Sequence, residues 1–167
     1  MEEREGTRIG ARFVCATAGS HRVAFAIAEV QEVLAPRALT RLFFAPAALL
    51  GVLNLRGDIL PVVELAQLLG APSQRNLANE PDARLVVVRA IVAVQGAASK
   101  PGTLALMVSH LDPLADAEQG EVRPIPAGVP DVAARLTRGV VDAGGRPVMV
   151  MDVARIIATD ELVGMRH

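Results

Sequence analysis

"GVLNLRGDILPVVELAQLLG", residues 51–70, decides how the chain is read. Two apolar runs, 51–55 and 59–63, flank the polar tip Arg56, Gly57 and Asp58. Paired apolar runs around a glycine read as a β-hairpin. A three-residue tip with Gly57 in the left-handed position fits that reading. Pro61 has no N–H to donate, so it places the second run at a sheet edge or a bulge. "ELAQLLG" then reads as a short helix with Leu65, Leu68 and Leu69 on one side and Gly70 as its stop.

The same unit recurs. Laid without gaps at an offset of 88 residues, "GVLNLRGDILPVVELAQLL" matches "GVVDAGGRPVMVMDVARII", residues 139–157. Gly51, Val52, Gly57, Val62 and Ala66 are identical to Gly139, Val140, Gly145, Val150 and Ala154. Glu64 and Asp152 both stand where a helix start favours negative charge. This echo predicts a structural duplication, and many short strands between turn signals point to small β-barrels.

The remaining segments fit around these two units. "RFVCATAGSHRVAFAIA" reads as two strands about the turn Ala18-Gly19-Ser20, with Val23, Phe25 and Ile27 on a bulky face. "EVQEVL" is too short for periodicity to choose between helix and strand. Residues 71–83 read as a surface loop. "RLVVVRAIVAV" and "TLALMVS" read as strands joined by a loop over 95–102.

Composition narrows the function. Half of the 167 residues are apolar, enough for a sizeable core, and only four are aromatic. Seventeen basic and eighteen acidic side chains nearly cancel. That balance argues against nucleic acid and against an anionic membrane surface. The charged start and the lack of a long apolar run imply neither a signal peptide nor a membrane span, so the reading is a cytoplasmic protein without direct membrane insertion. The single cysteine, Cys15, lies in an apolar run and reads as a buried small hydrophobe.

Catalytic constellations are weak. The three histidines lie far apart, with no Cys or His partner at metal-ligand spacing. Ser109, His110 and Asp112 stand nearly in a row, but neighbours on a strand point to opposite faces. "DAGGRP" lacks the Lys and Ser/Thr of a phosphate loop. Arg-Gly-Asp at 56–58 would suit extracellular recognition only in an exported protein. Arg56 itself reads two ways: a solvated turn residue paired locally with Asp58, Asp82 or Glu64, or a recognition arginine on a stiff hairpin. Gly144 stands at the equivalent tip of the second copy, so a hairpin of this kind does not require an arginine there.

These residues resemble the CheW-like domain family. "GVLNLRGDILPVVELAQLLG" is similar to its Gly-Val-x-Asn-Leu-Arg-Gly-x-x-x-Pro-Val signature. "VAFAIAEVQEVL", the Thr-Arg link before Pro46, "LALMV" and "LTRGVVDAGGRPVMVMDVARII" resemble its other segments. The resemblance implies a mainly β fold of two SH3-like five-stranded β-barrel subdomains sharing a core, with a few short helices. It implies one CheW-like domain over 10–160, between tails at 1–9 and 161–167. The implied function is a non-enzymatic adaptor without cofactor or metal. It would couple chemoreceptor (methyl-accepting chemotaxis protein) cytoplasmic tips to the regulatory domain of a CheA-type histidine kinase, at receptor–kinase clusters, with other CheW-like proteins as further partners. By position, Val30, Glu32, Val33, Asn54, Leu55 and Arg56 would line or border the receptor groove. Leu104, Leu106 and Leu111 would close it from the other barrel.

Three departures stand out. Glu64-Leu65-Ala66 replaces the usual Asp-Leu-Arg, residues 105–109 replace the usual Gly-x-x-Val-Asp, and a common tyrosine of the early strand is Phe25 or absent. They motivate an alternative, an accessory CheW-like protein that keeps only one of the two interfaces. A small-molecule-binding or enzymatic β-barrel domain is the alternative of another class. The regulatory module of a larger kinase is a third.

Overall fold

A computed structural model describes residues 11–74, 76–117 and 122–159. Eleven strands and three short helices follow one another along these residues. The strands are β1 (Ala11–Ala18), β2 (His21–Ala26), β3 (Val30–Leu34), β4 (Leu49–Leu55), β5 (Asp58–Glu64), β6 (Arg84–Val94), β7 (Ala97–Val108), β8 (His110–Leu111), β9 (Ala115–Ala117), β10 (Thr137–Ala143) and β11 (Arg146–Met151). The helices are α1 (Leu65–Leu68), α2 (Asp131–Arg135) and α3 (Val153–Ala158).

The strands form two sheets. Sheet one has the order β3-β6-β7-β5-β4, and sheet two the order β10-β11-β2-β1-β8, with β9 also on β1. The fold is mainly β, as expected, but sheet two has six strands rather than five. The outer place on β1 is split because Pro113 interrupts the chain between β8 and β9.

The duplication holds in the pairing. Leu49 faces Val63 and Gly51 faces Val62 across one irregularity; 88 residues on, Thr137 faces Met151 and Gly139 faces Val150 across another. Both second strands then pair in parallel with an inner strand, Val62 against Ala105 and Val150 against Ala24. The core repeats too. Leu53, Leu55, Leu60 and Val62 fill the inner layer of sheet one, and their counterparts Val141, Ala143, Val148 and Val150 that of sheet two. Between these two layers lies a third that both sheets share. Val63, Leu65, Leu68 and Leu69 enter it from the first copy, and Met151, Val153, Ile156 and Ile157 from the second.

β7 shows how the layers are held apart. Leu104, Leu106 and Val108 enter the shared layer, whereas Ala105 and Met107 enter the inner layer of sheet one. A strand buried on both faces needs apolar residues throughout, which is why "LALMV" does not alternate with polar positions. Helix α3 lies across β6 and β7 of the opposite sheet. Its Ile157 would come within 2.7 Å of a Cβ at Gly102.

Several local expectations change. The β4–β5 tip has two residues, not three, because Asp58 already pairs with Leu55. β7 begins at Ala97, so most of the expected 95–102 loop is strand and the turn is short. Ile27 leaves the strand for a one-turn 3-10 segment and is exposed. "VQEVL" is a strand. Pro61 sits inside the sheet rather than on its edge. Val52 spends its N–H and C=O on Thr40, so the facing Pro61 lacks no hydrogen bond to β4. Asp152 caps α3 by accepting from the Arg155 N–H at 3.1 Å. Glu64 instead turns from α1 and, almost wholly buried, accepts from Ser73 Oγ at 2.8 Å and the Gln74 N–H at 2.7 Å.

The bridge from Thr40 to Val52 requires Gly51. Its φ is +151°, and a Cβ there would lie 2.5 Å from the Thr40 oxygen. Gly139 repeats the constraint, with the Arg123 oxygen at 2.7 Å from its would-be Cβ and Arg123 bridging Val140. Gly51→Ala is expected to destabilise by about 2 kcal/mol or more, through strain and clash together. A denaturant midpoint equal to wild type would show that the 35–48 link is not pinned as described. Leu106→Ala removes a side chain with no exposure. It should cost about 2–5 kcal/mol by the same measurement.

Candidate functional site

The β4–β5 tip is built from Arg56 and Gly57, both in the left-handed region at φ 53° and 93°. Two positive φ values in a two-residue hairpin match the twist of the flanking strands. Glycine or asparagine usually fills such positions, and the second copy has Gly144 and Gly145 there, at φ 59° and 76°. Arg56 therefore holds a backbone shape that disfavours it. Asn54 steadies the turn, its Oδ1 accepting the Gly57 N–H at 2.9 Å.

The arginine is aimed at Glu32. Nη1 donates to Oε1 at 2.6 Å and Nη2 to Oε2 at 2.8 Å, a fork on a fork. The partner is none of the local acids the sequence suggested. Glu32 lies on β3 and Arg56 on the β4–β5 tip, so the pair joins elements from the two outer ends of sheet one. A flat sheet could not bring them together; the ion pair clasps a curled one. Glu32 is largely covered, whereas the Arg56 side chain stays 70% exposed. The Arg56 hydrogen bonds, aided by the charges of Arg56 and Arg37, hold the Glu32 carboxyl below its ordinary range. The same bonds raise Arg56.

The other expected site residues separate into groups. Asn54 is exposed beside Arg56, and Leu55 is buried beneath the tip. Val30 and Val33 are half-buried on β3 next to Glu32. Leu104 and Leu106 do not reach a surface: they are 3% and 0% exposed in the shared core, because β7 is the central strand of sheet one. Leu111 is on sheet two, partly exposed, in a cleft with Asp82, Arg84 and His110. The structure thus brings Glu32, Asn54 and Arg56 together and leaves the three leucines elsewhere.

The Ser109–His110–Asp112 row is no triad. Ser109 Oγ donates to Gln74 Oε1 at 2.9 Å and accepts the Gly19 N–H at 3.2 Å. His110 Nε2 lies 3.3 Å from Asp112, with Ser109 engaged away from it. The sequence reading passed over Phe43 and Phe44, which lie fully in solvent, Phe44 with φ 58°. The only hint was two adjacent phenylalanines in a chain that has four.

The chain is a duplicated β scaffold with a clasped, projecting arginine. The CheW-like domain family matches residues 12–161, and the chain belongs to that family. It is 26% identical over 155 residues to the chemotaxis protein CheW of Rhizobium meliloti, covering 93% of this chain and 92% of that one. It is also 26% identical over 149 residues to the chemotaxis protein CheW of Helicobacter pylori, covering 89% and 82%. The crystal structure of the scaffolding protein TtCheW from Thermoanaerobacter tengcongensis superposes with a TM-score of 0.74 at 17% identity, over 96% of each chain. That likeness shows the fold.

The pair gives a pH test. A carboxyl lowered in the folded state stabilises above its unfolded value, near 4.5, and loses that contribution as pH falls through the folded value. Arg56→Gly suits the turn, so its melting temperature at neutral pH should stay close to wild type. Its loss of stability between about pH 5 and pH 3 should be shallower, because Glu32 has lost the partner that lowered it. Parallel acid limbs would mean that the pair contributes nothing to folding.

Proposed function

We propose that this chain is a non-enzymatic adaptor that couples chemoreceptor cytoplasmic tips to the regulatory domain of a CheA-type histidine kinase, at receptor–kinase clusters in the cytoplasm. The observation that carries the reading is the Asn54–Gly57 tip. An arginine occupies a left-handed position where the second copy has glycine, and it is held out from the sheet by Glu32. A strained residue kept where the fold would accept glycine suggests a use beyond folding. Family membership supplies the class of use.

The mechanism is association alone. Glu32 engages only one edge of the guanidinium and fixes its plane, so little side-chain freedom is lost when a partner binds. Val30 and Val33 are half-buried on the same strand, but they pair with Val88 and Val86 of the shared layer and so stand on the face opposite Glu32. No described helix is long and apolar enough to cross a membrane, which agrees with a protein that meets receptors at their cytoplasmic ends.

The departures from the family pattern bear on the one-interface alternative. Glu64, Leu65 and Ala66 are at most 1% exposed, and Ala105, Leu106, Met107 and Val108 have no exposure. Ser109, the last of these departures, is half-buried and holds Gln74 and the Gly19 N–H, so the departures are interior but for that one, which favours the adaptor with both interfaces. Co-sedimentation with receptor signalling fragments and with the kinase checks it. Wild type should pellet with both, and Arg56→Glu, which sets a second carboxylate against Glu32, should bind at least about tenfold more weakly. Binding to one partner alone would establish the accessory alternative; binding to neither would end the proposal.

A further inference from the structure

The chain passes from sheet two to sheet one through the 3-10 turn at Ile27–Glu29. It returns through a single residue, Ser109, between the end of β7 and the start of β8. The Ser109 N–H already belongs to sheet two, donating to the Thr17 oxygen at 2.8 Å. Its half-buried hydroxyl reaches both ways. It accepts the Gly19 N–H from the β1–β2 turn at 3.2 Å. The hydroxyl proton is then left for an acceptor, and it goes to Gln74 Oε1 at 2.9 Å.

Gln74 is in turn anchored to sheet one. Its N–H donates to Glu64 Oε1 at 2.7 Å, and Ser73 Oγ donates to Glu64 Oε2 at 2.8 Å. Glu64 ends β5 at 1% exposure, so its carboxylate is served by this segment rather than by water. A buried carboxylate left without donors is costly, and that cost holds residues 71–74 in place. Helix α1 backs the same segment, with the Ala71 N–H donating to the Ala66 oxygen at 2.9 Å. The turn of sheet two rests there as well: a Cβ at Gly19 would lie 3.2 Å from that of Ala66 and 3.7 Å from that of Ala71. A bonded line therefore runs from β5 through Gln74 and Ser109 to the β1–β2 turn.

The shared apolar layer decides which faces of the two sheets meet, but burial of that kind has no direction. Hydrogen bonds do, because they weaken steeply when bent or stretched. We propose that Glu64, Gln74 and Ser109 form a latch that sets the angle between the two sheets, with Gln74 and Ser109 as positioning residues. Ser109 immediately precedes His110, so the same latch places His110 and Leu111, on sheet two, relative to Arg56, on sheet one. A scaffold that holds two partners at once gains from a preset angle, since freedom there would be lost again at each binding event. That use rests on the adaptor reading; the latch itself does not.

Paired spin labels on the full chain test it, in a Cys15→Ala background. Ile59→Cys with Arg146→Cys spans the two sheets, and Ile59→Cys with Gln95→Cys stays on sheet one; all three positions are exposed. Wild type should give one narrow distance distribution between the sheets. Gln74→Leu keeps the size and drops the amide. It should shift the inter-sheet distribution or widen it at least about twofold, with the pair on sheet one unchanged. Ser109→Ala should do the same, and Ser109→Thr, which keeps a hydroxyl, should stay as narrow as wild type. Three outcomes overturn the proposal: wild-type distances in either Gln74→Leu or Ser109→Ala, both label pairs widening together, or Ser109→Thr as wide as Ser109→Ala. No receptor or kinase is present, so failure here is separate from failure of the adaptor reading.

Discussion

One layer of side chains is shared by two sheets, and the rest of the structure follows from it. Each copy of the repeat sends the end of its hairpin and its helix into that layer, Val63 to Leu69 from one and Met151 to Ile157 from the other. Neither sheet closes its apolar surface alone. Burial at about 25 cal/mol per Å² of apolar area makes this joint layer the dominant stabilising term. It also fixes how the sheets face each other, because α3 lies over strands of the opposite sheet. The two inner layers are smaller and private, and they set the curl of each sheet.

That curl is what makes the arginine clasp possible. Glu32 and Arg56 are far apart in the strand order of sheet one, and they meet because the sheet wraps its own inner layer. The second sheet repeats the hairpin but not the clasp. Asp142, at the place of Asn54, pairs with Arg123 at 2.7 Å, and the tip itself is two glycines. The duplicated frame thus carries two different fittings. The first copy presents a fixed, forked donor, and the second ties down the segment that crosses its outer strand.

Much of the frame was legible in the sequence because the repeat is read residue by residue. Gly51 and Gly139, Val62 and Val150, and the leucines and isoleucines of the two helices align without a gap, and the pairing register keeps that offset. What failed were features that depend on neighbours distant in sequence. Pro61 reads as a mark of an edge or a bulge; the irregularity beside it agrees with the second, but nothing in the sequence says that Thr40 takes the hydrogen bonds of Val52 and so admits a proline inside the sheet. Leu104 and Leu106 looked like groove walls because position within the family motif says nothing of burial on both faces of a central strand. Arg56 is unusual at its tip, but the acids near it in sequence do not reveal its partner, because Glu32 lies 24 residues away. Phe43 and Phe44 drew no comment, since exposure cannot be read from residue type.

The parallel pairing of β11 with β2 has a consequence for synthesis on the ribosome. Among the described strands, the β1–β2 hairpin is made before all others, yet the strand that lies against Val23 and Ala24 comes after them. Until then, the early hairpin offers an unpaired, apolar strand edge, and sheet one can pair all its strands before sheet two can. Contacts this distant along the chain slow folding. Pairing of sheet two therefore waits for β11, and β2 gains its outer neighbour only after every strand of sheet one has been made.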